Sequence, residues 1–273
     1  MSISFWQVLQ MSFMQRALIA GSFLGMSAAC LGLLFVLRRQ SMMGDGLSHF
    51  AFAAVGLGLL LGAAPLWTAM PLAILAAYIV LRLPEKNIVF GDTAVGIISS
   101  VGLALGVLLA GIGNGFTVDL FGYLFGDILT VSRAEMWASA AVFVGVLLLF
   151  AVRYHELFAV TFDREYAHVQ GIQTNRLTPI LAIFTGIIIV LGMKIVGALL
   201  FSGLLIFPAI TALQLAKSFR GTCVLAAVIS LIGVWGGMML AFFLNLPAGA
   251  AILLLNALLF ASAFSLRRLF RLP

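Results

Sequence analysis

Asp45 and His49 stand one helical turn apart in MMGDGLSHFAF, residues 42–52, at the mouth of a long apolar run. Side chains at i and i+4 of a helix point the same way, with Cβ atoms about 6 Å apart, so one face offers a carboxylate oxygen and an imidazole nitrogen. Those donors suit zinc, manganese or iron. An Asp near the centre of a membrane helix costs about 2.5–3.5 kcal/mol to insert, so such a residue faces a bundle interior or a water-filled path. Gly44, Gly46 and Ser48 are small neighbours that leave room for a partner helix or an ion. Two donors do not hold a transition metal tightly. Two copies of the helix meeting at a twofold axis supply two carboxylates and two imidazoles, a four-coordinate set for zinc that also serves manganese or iron when waters join. The same pair also reads as a plain Asp–His hydrogen bond, as a charge at a helix N-terminus near the membrane surface, or as a proton relay.

The elements that must position this pair are legible in the composition. Of 273 residues, 63% are hydrophobic and 9% charged, far from the near-half apolar and quarter-charged mix of soluble domains. Repeated apolar runs of about 17–25 residues are the helical membrane signature, not the alternating signal of a membrane β-barrel. Nine windows qualify: 17–37, 49–64, 66–83, 93–112, 136–152, 177–193, 196–215, 222–244 and 247–266. The expected fold is all-α, a polytopic helical membrane protein with eight to nine transmembrane helices, forming one membrane domain over 1–273.

Charge sets the orientation. With the first span running inward, Arg38, Arg39, Arg82, Lys86, Arg153, Arg164, Arg176, Lys217, Arg220, Arg267, Arg268 and Arg271 lie inside, twelve of the fifteen basic residues. Only Arg16, Arg133 and Lys194 then lie outside, so the positive-inside bias predicts an external N-terminus and an internal C-terminus. The formal charge of +6 is topological. It does not mark a nucleic-acid binder, because no soluble segment carries a basic stripe with interleaved aromatics. Cys30 and Cys223 are each embedded in apolar sequence and read as small structural residues. No cleavable signal is evident before Arg16. Glycine pairs at 21/25, 58/62, 102/106 and 233/237 allow close helix approach, and Pro71 and Pro208 kink their spans.

Two segments break the pattern. The polar interval 153–176 contains FDREYAHVQG, in which Asp163 caps a short helix, Glu165 suits its positive end and Gly171 stops it. A short helix on the cytoplasmic face is expected there. On the other side, 113–135 includes FGYLFGDILTVS, too short and too interrupted by Gly122 and Gly126 to cross the bilayer. It reads either as a re-entrant helix over the mouth of a cavity or as an amphipathic surface helix, with Asp119 and Asp127 as solvated acids. Of the remaining ionisable groups, Lys194 is expected to snorkel near the outer boundary, Asp92 to cap the fourth span, and His155 and His168 to be solvated or at a subunit contact.

Five stretches together resemble one family, the membrane permeases of ABC importers for zinc, manganese and iron. They are GDGLSHFAFAAVGLG (44–58), GDTAVGIISS (91–100), GYLFGDILTVS (122–132), the FDREYAHVQG loop, and KIVGALLFSGLLIFPAITA (194–212). YLFGDIL looks most like the zinc branch. The resemblance implies a homodimer in the cytoplasmic (inner) membrane of a bacterium, with cytoplasmic ATP-binding subunits and an extracytoplasmic metal-binding protein as partners. It carries Asp45 and His49 over as metal-contacting residues for a transported Zn2+ or Mn2+ ion, with no permanently bound cofactor. Asp163, Glu165, Ala167 and Gly171 become coupling-helix positions against the ATPase, although Tyr166 departs from the second small residue of a strict EAA loop. Tyr123, Phe125 and Asp127 are the candidate outer gate. The chain has no GxxxxGK[ST] phosphate loop, so the resemblance implies no enzyme here, with ATP hydrolysis on a separate subunit. A proton-coupled secondary transporter using Asp45 and His49 is the rival reading. An intramembrane metalloprotease is disfavoured because no H-E-x-x-H helix is present.

Overall fold

The computed structural model describes residues 5–83, 91–112, 118–172 and 174–270. Among them there is no strand. The helices are α1 (Phe5–Gln10), α2 (Ser12–Leu37), α3 (Met43–Leu60), α4 (Pro65–Arg82), α5 (Gly91–Ile112), α6 (Val118–Phe125), α7 (Arg133–Val152), α8 (Tyr154–Phe162), α9 (Arg164–Val169), α10 (Thr174–Val196), α11 (Phe201–Leu215), α12 (Phe219–Leu244) and α13 (Ala248–Phe270), with a 3-10 turn at Ile128–Thr130 after α6. Among the described residues, α2, α3, α4, α5, α7, α10, α12 and α13 are long and apolar enough to cross a membrane, eight in all. The side chains of Asp92 and Asp119 lie outside the described residues.

With 15 residues α11 is only about 22 Å long, yet it too runs from one end of the bundle to the other. Just before it, the Ala198 amide donates to the Tyr123 carbonyl at 2.9 Å. At its far end Gln214 accepts from Arg267 at 2.8 Å. The next helix starts at that second end, where the Phe219 and Tyr154 rings lie 5.7 Å apart. It finishes at the first end, where the α12–α13 turn, Phe13 and residues 126–129 surround a cavity of about 820 Å³. α11 is a shorter apolar helix beside these eight and falls in the seventh of the nine apolar windows. Most of α2, α3 and α10 is buried, whereas α5, α7 and α13 are largely exposed. A hydrophobic outer layer facing lipid is what a membrane bundle needs, because nothing apolar is driven inward there.

Local chemistry fixes the helix ends. Ser132 and Glu135 form a reciprocal capping box on α7: the Ser132 amide donates to Glu135 Oε2 at 2.8 Å and the Glu135 amide to Ser132 Oγ at 3.2 Å. Ser218 accepts from the Gly221 amide at the start of α12, and Pro65 opens α4 at a position with no amide to satisfy. Pro71 and Pro208 lie inside α4 and α11, and Pro179 inside α10.

The interrupted segment after α5 is docked on protein. Its main chain is stitched to the end of α10: the Asp127 amide donates to Lys194 O at 2.8 Å and the Leu199 amide to Leu124 O at 3.3 Å, beside the Ala198–Tyr123 bond. The two strips approach so closely because Gly126 and Gly197 have φ of +85° and +96° and no side chain. A Cβ on Gly126 would stand 2.6 Å from the Val196 carbonyl carbon. Irregular backbone is tolerated at membrane depth under that condition.

Three expectations are amended. The interval 153–176 holds two helices, α8 and α9, because the rings of Tyr154, Phe158 and Phe162 pack around Phe219 and bind α8 to the start of α12. Gly62 is a turn residue at φ +64° with nothing near it. Lys194 does not snorkel: its Nζ donates to both carboxylate oxygens of Glu135, at 2.7 and 3.0 Å, and both side chains are more than four-fifths buried.

Candidate functional site

The window for the second span opens at His49, but α3 begins at Met43, so Asp45 lies in the first turn and His49 one turn deeper. Helices α5, α4, α11 and α10 all pack against it and hold it in place. Along α5, Gly46 meets Val95, Phe50 meets Gly102 and Gly56 meets Leu109. Both numbers rise together, so α3 and α5 run parallel. The approach at Gly102 is backbone to backbone: a Cβ there would stand 2.6 Å from Phe50 Cα and 2.7 Å from Phe50 N. Gly102 is the twelfth of the 22 residues of α5, which puts the His49–Phe50 peptide level with the middle of that helix. On its other flank Gly44 rests against Ser202 and Leu205 of α11.

Within this frame nearly the whole of α3 is buried, His49 included, while the Asp45 side chain keeps 31% exposure. His49 Nε2 and Asp45 Oδ1 are 3.6 Å apart, too long for a hydrogen bond. The two groups face each other as a contact pair on one side of α3 and not as a short hydrogen bond. Two ligands of a tetrahedral metal at about 2.0–2.1 Å stand about 3.4 Å from each other, close to the separation of this pair. His49 Nδ1 is buried without a hydrogen-bond partner among the described residues, so packing alone orients the ring. The Ser48 hydroxyl does not compete for the carboxylate, since it donates to the Asp45 carbonyl at 2.9 Å. Among the described residues no three His, Cys, Asp or Glu side chains cluster as a metal site. One chain brings together two such side chains, Asp45 and His49.

The gate candidates sit at the other end of α3. A chamber of about 460 Å³ is lined by Leu59, Pro65, Gly122, Tyr123, Asp127, Thr130 and Lys194. Leu59 is ten residues beyond His49, about 15 Å along the helix. Tyr123 and Asp127 thus line this chamber, whereas Phe125 is 44% exposed. Asp127 is partly committed, because its Oδ1 accepts from the Leu129 amide at 2.8 Å and caps the 3-10 turn. Glu135 and Lys194, which the sequence did not single out as a pair, lock the N-terminus of α7 to the C-terminus of α10 beside this chamber.

The coupling-helix candidates divide. Asp163 Oδ1 accepts from the Tyr166 amide at 2.9 Å and caps α9, as its position predicts. Gly171 ends the turn with φ +78°, and Glu165 is exposed in the first turn. Ala167 is fully buried and packs inward. The outward side of α9 is made instead by Tyr166 and Val169, exposed at 58% and 85%, next to Phe162. Large apolar groups on a polar loop were the available signal for that face. His168 is exposed on α9, and the ring of His155 lies edge-on to Tyr154.

Residues 10–267 match the model of the ABC 3 transport family. The chain belongs to that family. The manganese import system permease protein ScaB of Streptococcus gordonii is 34% identical over 92% of this chain and 90% of its own length. The high-affinity zinc uptake system membrane protein ZnuB of Haemophilus influenzae is 35% identical over 93% of this chain and 97% of its own. Among solved structures, the one described as PsaBC from Streptococcus pneumoniae in complex with Fab aligns with a TM-score of 0.83 at 32% identity, covering 94% of this chain and 92% of that one. An inward-facing putative metal-chelate type ABC transporter shares the fold, with a TM-score of 0.71 at 17% identity over 97% and 91% of the two chains. This ABC 3 family member is thus a multi-pass helical membrane protein whose α3 carries the Asp45/His49 pair in its interior.

Proposed function

We propose that this chain is the membrane-spanning subunit of an ATP-driven importer that carries divalent transition-metal ions into the cytoplasm, with Asp45 and His49 as the ion's resting place. The observation that carries the reading is the 3.6 Å separation of His49 Nε2 and Asp45 Oδ1 on one face of α3, with the imidazole buried and the carboxylate partly exposed. Two protomers related by a twofold axis supply four donors, enough for a tetrahedral ion and few enough to release it. Cytoplasmic ATP-binding subunits dock against α9, where Tyr166 and Val169 face outward and Ala167 seats the helix on the bundle. Their closure tilts the spans and opens the pair to one side at a time. An extracytoplasmic binding protein delivers the ion to the chamber lined by Tyr123 and Asp127. The basic end of the bundle lies in the cytoplasm of a bacterium, with the N-terminus outside.

Zinc is the favoured cargo because two carboxylates and two imidazoles fit its tetrahedral habit. Manganese accepts the same donors with added water, and relatives named for the two metals stand at 34% and 35% identity. The test is uptake of radioactive zinc and manganese into vesicles holding the permease with its copurified ATPase, using wild type, Asp45→Ala and His49→Ala. Both variants are expected to lose ATP-dependent uptake while keeping their ATPase partner. Uptake at the wild-type rate in both rejects the site. Uptake abolished by uncouplers and indifferent to the ATPase supports the proton-coupled reading instead.

A further inference from the structure

On the far side of the bundle from α3 and α5, an apolar groove of about 340 Å³ runs between α7 and α12 over a floor of α2. Its two walls share one register. On α12 the lining residues run from Arg220 through Val224 and Ala227 to Leu231, and on α7 and the start of α8 from Phe143 through Leu147 and Phe150 to Tyr154. Each wall spans twelve residues, with lining positions at i, i+4, i+7 and i+11, about 16 Å along the helix. That is half of a hydrocarbon core about 30 Å thick, the depth of one leaflet. Both ends are defined. Phe143 stacks on Phe23 with ring centroids 5.3 Å apart and closes the groove at mid-bundle. Tyr154 and Arg220 form its mouth at the basic end.

The mouth is cationic and uncompensated. Arg220 is exposed in the first turn of α12, where the helix dipole is already positive and an acid would be the favourable residue. Lys217 is exposed three residues earlier. Among the described residues no acidic side chain is paired with Arg220, in contrast to Arg153, which donates to Glu156 at 2.6 Å. An apolar slot as long as one leaflet, ending at the basic end in a guanidinium with no acidic partner among the described residues, is complementary to a chain-bearing anion. We infer that this groove binds one anionic phospholipid of the leaflet at the basic end, its acyl chain between α7 and α12 and its phosphate at Arg220. The inference rests on membrane residence alone and is independent of the metal reading.

Native mass spectrometry of the delipidated protein titrated with phosphatidylglycerol or phosphatidylcholine of matched chains tests it. Wild type is expected to retain one phosphatidylglycerol and to prefer it over phosphatidylcholine. Arg220→Gln removes an exposed side chain and does not threaten folding. It is expected to lower that preference about fivefold, the weight of one basic residue at an anionic surface. Ala227→Trp fills the slot and is expected to expel both lipids while thermal stability and oligomeric state stay as in wild type. Arg268→Gln, on a different helix, is expected to change nothing. Equal retention of the two lipids by wild type, an unchanged preference in Arg220→Gln, or the same loss in Arg268→Gln overturns the inference. If Ala227→Trp instead breaks an oligomer, the groove is a protein–protein face and the lipid assignment fails.

Discussion

Glu135 and Lys194 offer the sharpest energetic test of the architecture. Their side chains are 19% and 16% exposed, and one ammonium donates to both oxygens of one carboxylate. The same carboxylate closes the capping box of α7. A hydrogen bond to a charged partner contributes about 1.5–3 kcal/mol net, and the residual exposure places this pair near the lower half of that range, about 2 kcal/mol. The cap adds about 1 kcal/mol. Glu135→Ala therefore costs about 3 kcal/mol, Lys194→Ala about 2 kcal/mol, and the double variant about 3 kcal/mol, because the pair can be lost only once. The cycle then yields a coupling of about 2 kcal/mol. The measurement is reversible unfolding of the purified protein in mixed micelles with increasing SDS, followed by tryptophan fluorescence. A coupling below about 0.5 kcal/mol means that the two charges are individually solvated and that the contact between α7 and α10 does not depend on them.

Two further outcomes follow from packing. Gly102→Ala forces a methyl against the Phe50 backbone, which cannot yield as a flexible side chain would. It is expected to cost about 1–3 kcal/mol and to weaken metal binding, whereas Gly96→Ala, with nothing within 4 Å, leaves both unchanged; thermal shift and zinc titration compare them. Val169→Glu places a charge at the most exposed apolar residue of α9. It is expected to abolish copurification of the ATP-binding subunit while leaving the fold intact by circular dichroism, and retention of that subunit would falsify the docking face.

The passes were legible because hydropathy over about 20 residues is a local property, and the caps at Ser132 and Asp163 were within reach of short-range reasoning, although only Asp163 was picked out. The Asp45/His49 pairing was legible for the same reason, since one turn of helix is enough to align the two. What the sequence withheld were contacts between distant positions. Lys194 meets a carboxylate 59 residues away, and nothing in its own neighbourhood distinguishes that from snorkelling. Ala167 carries the small side chain expected of a docking loop, but whether such a residue faces the partner or its own bundle depends on the helix's rotation, which α8 and its aromatic contact with Phe219 set. The placement of residues 123–127 depends on three main-chain hydrogen bonds with 194–199, a match written in neither stretch alone.

That stitching has a mechanical corollary. Two strips of main chain joined by crossed amide bonds shear poorly, so residues 122–127 and 194–199 must travel as one slab, carried by α10 and bolted to α7 through the lysine. Neither strip can lift away by itself without breaking those hydrogen bonds. Relative movement in this part of the bundle therefore falls on the joints around the slab.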